Sequence, residues 1–339
     1  ATAIGGSAAD IASVVGSSGV TFSATSLVAT ASAGSAEASD LTSIDGKLDS
    51  TVVATSVTEI TGTAGELVTA VGAAGVSLAN TVAVTVDSGT ATVDQIRNTL
   101  DSADRVVTAT VAEGTVSDLA NLPDSSKNIL TINVTEDGVA SAVSATNLIA
   151  LPNKTTLAID LSSVSKITDT SAKLVELYAD ALTNYTGLGN ETLAVTGNAV
   201  ATDIKTLSVP VDYSGSTGTG TDGVGAIDLS GATDLTGSVA DLTIVIDDTG
   251  VTGWTLNPVL KTSDATVSAD SLDALMGKVT VAYGDDANAI NATSVNKLTG
   301  AAAKVKAVLT DAGGVVSNLT NPTVEINDST VDAQLLNDI

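Results

Sequence analysis

Apolar positions along this chain fall into short patterns that recur. In Thr266 to Leu275, "TVSADSLDAL", Leu272 and Leu275 stand three apart behind a serine. That spacing places both on one helical face. Ser268 stands where a helix N-cap needs a side-chain oxygen. The pattern Thr-Val-Ser/Asp-Ala-x-x-Leu-x-x-Leu/Ile also surrounds Leu41, Leu148 and Leu336, with looser forms at Ile96, Leu119 and Ile204. Ser144, Ser268 and Asp332 are the expected N-caps. Gly46, Asn153 and Gly277 stand where a left-handed residue closes a short helix. The runs that follow, "STVVA", "TTLAIDL" and "VTVAY", read as strands.

A second pattern occurs as "ATSVTEITGTAGELVTAV" (54–71), "LSSVSKITDTSAKLVELY" (161–178) and "ATSVNKLTGAAAKVKAVL" (292–309). Ala64, Leu67, Val68 and Val71 fall at i, i+3, i+4 and i+7, the signature of an amphipathic helix. Strands follow at "TVAVTV" (81–86), "ETLAV" (191–195) and "PTVEI" (322–326).

These alternations predict an α/β repeat protein, β-rich with parallel strands. Its expected form is a solenoid-like, right-handed stack of strand–short helix–strand–helix units. A string of small β-rich domains is the alternative. The expected divisions are a Ser/Thr/Ala-rich start (1–36) that reads as a partial repeat, a repeat unit (37–89), a degenerate unit (90–138), a repeat unit (139–198), a degenerate unit with a Gly-rich loop (199–263), a repeat unit (264–329) and the start of a further unit (330–339).

Composition sharpens this picture. Hydrophobic residues make up 43% of the 339 but aromatic ones only 2%, so the core is built from small aliphatic pieces. Thin layers suit that inventory better than one large globule, which draws on rings for buried area. High hydrophobicity argues against disorder. The net charge of −26 leaves no basic stripe for phosphates or anionic lipid, so neither nucleic-acid binding nor membrane adsorption is expected. No membrane insertion is expected either, because Ser, Thr and Gly interrupt the uncharged stretch 11–36.

The chain has no Cys and no His, which removes thiol nucleophiles, most triads and most zinc sites. Ser163-x-x-Lys166 and Ser294-x-x-Lys297 match a Ser–Lys dyad but occupy equivalent places in two repeats, which reads as surface decoration. Asp222 and Asp228 lie in a loop with a faint likeness to a calcium nonapeptide, and Asp285 and Asp286 cluster in "YGDDANAIN". These four are weak calcium candidates, without EF-hand spacing, and no other cofactor is expected. The acidic excess predicts that divalent cations raise stability or promote assembly more than matched sodium does. Asn-x-Ser/Thr sequons stand at Asn133, Asn153, Asn184, Asn190, Asn291, Asn318 and Asn327. Lys47, Lys154 and Lys278 follow the first pattern and are expected to complement helix C-termini, with pairing to a carboxylate as the alternative.

The combination "VSADSLDAL…GK…ATSVNKLTGAAAKV" with "TGLGNETLAVTG" resembles repeats of very large, acidic, Ala/Thr/Val/Asp-rich surface proteins of marine bacteria, especially cyanobacteria, and of structural proteins of their phages. The resemblance implies an extracellular structural or adhesive role and carries no catalytic residues.

The expected function is therefore a non-enzymatic, extracellular or cell-surface structural protein. It would form part of a filament, surface layer or giant adhesin that associates with copies of itself. A phage fibre or capsid-decorating protein of the virion is one alternative. Another is a module binding glycans or a cell envelope, with Trp254 and Tyr283 as the exposed aromatic candidates. The closing stretch "TVDAQLLNDI" reads as an incomplete unit, with Leu336 and Ile339 as a buried pair awaiting cover. The expectation is that these residues belong to a longer or assembled array.

Overall fold

The computed structural model describes all residues except 1, 23–26, 103, 113, 136–141, 180, 210–223, 255–257, 284–288 and 312–313; the side chains of 181 and 182 are likewise left aside. The chain is mixed α/β, with several parallel sheets and no closed barrel. It divides into two compact units. Unit 1 comprises Ala1–Asp137 with Asn147–Ser163, and unit 2 comprises Gly138–Thr146 with Val164–Ile339.

Unit 1 carries helices α1 (Ala8–Gly16), α2 (Ala38–Asp45), α3 (Ala64–Gly72), α4 (Val93–Gln95) and α5 (Val116–Leu119). Four strands, Ala3–Gly6, Val28–Ala31, Val52–Ala54 and Val76–Leu78, form one parallel sheet in that order. A second parallel sheet runs Gly34–Glu37, Val57–Thr63, Ala83–Ser88, Val107–Thr110, Ile129–Thr131. Its inward column is Ala36, Ile60, Val84 and Val107, each paired with the next and each buried. Residues brought side by side on neighbouring strands are 24 apart at Glu37 and Thr61.

The helices supply the facing layer. Ala38, Leu41 and Ile44 of α2, and Ala64, Leu67 and Ala70 of α3, are at most 5% exposed. Spacing of i, i+3, i+6 gives a narrow apolar stripe, and its small first residue lets the helix start close to the sheet. Local caps open these helices. Thr63 and Glu66 form a reciprocal capping box, as do Thr92 and Gln95, while Ser7 and Thr115 accept from the backbone N–H three residues on.

Between the units in sequence runs α6 (Ala145–Ala150). Unit 2 then carries α7 (Ser171–Ala179), the short α8 (Ala181–Asn184), α9 (Ala201–Ser208), α10 (Val239–Asp247), α11 (Ala269–Tyr283), α12 (Ala302–Thr310) and α13 (Ala333–Asn337). The stripe recurs as Ser171-Leu174-Leu177, Ala201-Ile204-Leu207, Val239-Leu242-Val245, Ala269-Leu272-Leu275 and Ala302-Val305-Val308, all buried. An eight-stranded sheet is ordered around the long strands Thr192–Val200 and Ala226–Gly237, and a second parallel sheet joins Thr266–Ser268, Lys297–Gly300 and Thr323–Ile326. The two sequence patterns are thus one structural step, a strand leading into a helix with the same buried stripe.

Several local expectations change. "VTVAY" is not a strand: α11 continues through it to Tyr283, because Val279 and Tyr283 extend the buried stripe of Leu272 and Leu275. That burial outweighs the β preference of the valines. Gly277 lies inside α11 rather than closing it, and Gly46 ends α2 in right-handed conformation with φ −68°. Ser144 and Ser268 end strands and stand immediately before the first residues of α6 and α11, the position expected of a cap. Ser144 hydroxyl and the Thr146 N–H both donate to Asp169, on the neighbouring strand Lys166–Asp169. Asp332 does cap its helix, accepting from Gln334 and Leu335 N–H. Leu336, expected in a buried pair with Ile339, is 54% exposed, and Ile339 is half-buried.

Candidate functional site

The chemistry of this molecule is concentrated in its carboxylates and in the few cations set against them. Unit 2 holds eight of the 13 basic residues, and each is in an ion pair. Lys173–Glu176 is local to α7. The other seven join segments far apart in sequence. On the strand side, Lys261 meets Asp234 at 2.7 Å, Lys297 meets Glu325 at 2.5 Å, and Lys166 lies 3.5 Å from Asp228. On the helix side, Lys205 meets Asp241, Lys278 meets Asp247 at 2.6 Å, Lys304 meets Asp273, and Lys306 meets Asp338 at 2.7 Å.

Further aspartates complete helix N-termini from the next strand or turn. Asp169 accepts from Thr146 N–H of α6, Asp264 from Val239 N–H of α10, and Asp328 from Ala302 N–H of α12, at 2.9, 2.7 and 2.6 Å. These N–H groups have no partner inside their own helix. Burial alone would push the Asp169 carboxyl up; hydrogen bonds from Thr146, Thr170 and Ser144 outweigh it and hold the group below its ordinary value. Asp228 behaves alike: burial opposes ionisation, while Ser230 and Lys166 favour it and win. Asp241 is held down chiefly by Lys205, then by Ser238.

The dyad candidates meet these same carboxylates. Lys297 is held by Glu325, and Lys166 faces Asp228, while Ser163 and Ser294 are exposed in turns. Of the calcium candidates, Asp222, Asp285 and Asp286 lie outside the described residues. Asp228 is engaged by Lys166 through one oxygen and by Ser230 N–H through the other. Among the described residues no three His, Cys, Asp or Glu side chains converge on a point fit for a metal ion.

The aromatic candidates are not exposed as a platform. Tyr283 is 9% exposed and Trp254 half-buried; their rings meet edge to face with centroids 5.6 Å apart. Tyr283 hydroxyl donates to Pro258 C=O and Trp254 Nε1–H to Val251 C=O, and burial raises the Tyr283 pKa. A scarce ring is worth more inside a thin core than on the surface. Two of the recurrent lysines follow the alternative reading: Lys154 pairs with Asp124 at 2.5 Å and Lys278 with Asp247, and Lys278 lies within α11. Lys154 also ends the helical turn Leu151–Lys154, and Lys47 directly follows the end of α2.

Concave surface is modest. In unit 1 a groove of about 520 Å³ is lined by Asp124, Ser125, Ser126, Pro152, Asn153 and Thr155. Asn153 of that sequon is exposed, but its Thr155 hydroxyl is buried and donates to Leu130 C=O. Among the described residues no helix is long and apolar enough to cross a membrane. The cross-strand caps and ion pairs escape sequence reading because their partners stand 23 to 62 residues apart; the one available signal is lysine recurring behind three copies of the helix pattern. No protein-family model matches this chain, and no curated protein matches it.

Proposed function

We propose that this chain is a non-enzymatic structural repeat protein. Within each unit its strand–helix steps would stack as solenoid turns, and its surface would serve assembly with further copies of itself outside the cell. The observation that carries this reading is the recurring buried stripe, from Ala38-Leu41-Ile44 to Ala302-Val305-Val308, each preceded by a parallel strand. A step of this kind cannot bury its own apolar face and needs a neighbour on each side. Sheet edges support the assembly half of the reading. Ala3–Gly6 and Thr323–Ile326 are end strands of their sheets and pair on one side only among the described residues. Unpaired strand edges are templates for another chain. Cations engaged within the fold leave a carboxylate-rich surface, which suits a structural role in ionic media.

Sedimentation velocity and electron microscopy over a concentration series, in sodium and in calcium, test this. Filaments, lattices or discrete oligomers are expected. Compact monomers under every condition would remove the assembly claim.

A further inference from the structure

We propose that the lysine–carboxylate pairs between consecutive helices of unit 2 form an acid-sensitive clasp, which holds α9 through α13 together and lets go before unit 1 opens. The proposal rests on the pairing geometry and is independent of whether copies assemble.

Each contact between neighbouring helices carries one pair. α9 meets α10 through Lys205 and Asp241, and α10 meets α11 through Asp247 and Lys278, whose Nζ donates to both carboxylate oxygens at 2.6 and 2.8 Å. α11 meets α12 through Asp273 and Lys304, and α12 meets α13 through Lys306 and Asp338. In unit 1, α1 and α2 are neighbours and flank a groove lined by Ala9, Ala12, Ser13 and Gly16 on one side and Asp40, Ser43 and Lys47 on the other. No ion pair joins α1 to α2 or α2 to α3 among the described residues.

Most of the groups around the clasp are already committed. Asp203 of α9 accepts from Ser171 of α7, and Lys173 and Glu176 of α7 pair with each other. Asp270 of α11 adds a second negative charge near Lys304. Asp234–Lys261 and Lys297–Glu325 pair on the strands beneath, while Asp264 and Asp328 cap α10 and α12. Tyr178 hydroxyl donates to the buried Glu191, and Tyr283 to a backbone carbonyl. Asp332 caps α13 itself. Asp248 accepts from Gly250 N–H, and Asp311 follows α12. Apart from Asp270 and Asp311, a clasp lysine that loses its carboxylate meets only carboxylates among these groups that are already engaged.

The direction with pH follows from linkage. Lys205 lowers Asp241, and Lys306 and Gln334 lower Asp338, each from an ordinary value of 3.8. A carboxyl lowered in the fold contributes fully above its unfolded value and loses that contribution as pH falls through the folded one. Release therefore belongs below about pH 4. Lys304, raised by its hydrogen bond to Asp273, stays charged throughout this acid range.

Hydrogen exchange on the full chain, at pH 7 and at about pH 3.5 and corrected for intrinsic rates, tests the clasp. Peptides of α9 to α12 should lose protection roughly three- to tenfold more than peptides of α2 and α3. A variant with Lys205→Met, Lys278→Met, Lys304→Met and Lys306→Met keeps the aliphatic stems. It should be loose already at pH 7 and gain no further acid response over α2 and α3. In case that variant does not fold, Lys304→Asp should loosen α11 and α12, and adding Asp273→Lys should restore them. Equal acid loss in the two units, an undiminished acid response in the methionine variant, or no rescue by the exchanged pair would each overturn the proposal.

Discussion

Units 1 and 2 share an apolar plan and differ in what joins one step to the next. In unit 1 most lateral links run through hydroxyls and amides, with Lys154–Asp124 the one long-range ion pair among the described residues. Thr61 donates to Glu37 and Thr85 to Glu59 on neighbouring strands. Fully buried Asn128 accepts from Val107 N–H and donates to Asp101, and buried Thr155 bonds both backbone groups of Leu130. In unit 2 the corresponding links are Lys–carboxylate pairs and aspartates that cap the preceding helix. A hydroxyl or amide donor carries no charge to screen, whereas a lysine–carboxylate pair depends on the charge of both partners and on salt. Helices with the same buried stripe are thus joined laterally by different chemistry in the two units.

The largest effects should show what the units have in common. Leu67 of α3 and Leu242 of α10 occupy the middle of the buried stripe and are fully covered. Leu67→Ala and Leu242→Ala should each destabilise their own unit by about 2–5 kcal/mol. Denaturant melts followed by exchange in each unit check this. A cost several times smaller at one site would mean the two cores are not built alike.

Backbone crowding separates them next. Gly89 in unit 1 and Gly253 in unit 2 both have positive φ, 78° and 87°. A Cβ on Gly89 would meet nothing within 4 Å, whereas one on Gly253 would stand 2.4 Å from Ser230 N. Gly89→Ala should cost about 1 kcal/mol and Gly253→Ala about 3 kcal/mol. Equal melting shifts would show that the strand Val251–Thr252 does not press on Asp228–Ser230 as described.

Capping gives the third contrast. Thr92→Ala removes a local cap from α4, and Asp264→Ala removes one that α10 receives from 25 residues away. Each should cost about 1 kcal/mol. Only the second should also loosen a different segment, read as faster exchange at 259–264 together with α10. The smallest effect is expected for Lys261→Met, whose partner Asp234 lies on the adjacent strand. About 0.2–1 kcal/mol should be lost at low salt and less at 1 M salt. A loss that does not change with salt would mean that the lysine stem, rather than its charge, carries the effect.

Much of the helical half was legible beforehand. Ala64, Leu67 and the Thr63/Glu66 box lie within one turn or two of each other, so their spacing states their geometry directly. The same holds for Asp332 over Gln334 and Leu335. Leu41 and Leu174 belong to sequence patterns that look unlike, because the strand residues ahead of them differ; only their common burial shows one step repeated. "VTVAY" misled because valine spacing is compatible with either element, and the choice was made by what Val279 and Tyr283 could bury.

By itself, then, the sequence determined the alternation of strand and helix, the apolar stripe and the local caps, since those depend on contacts a few residues long. Only the tertiary structure decided that Asp264 caps α10, that Lys278 reaches Asp247 across 31 residues, and that Tyr283 is a core residue. The physical reason lies in partner choice. A carboxylate can accept from many donors, and which one it meets is set by strand register and helix packing rather than by neighbours along the chain.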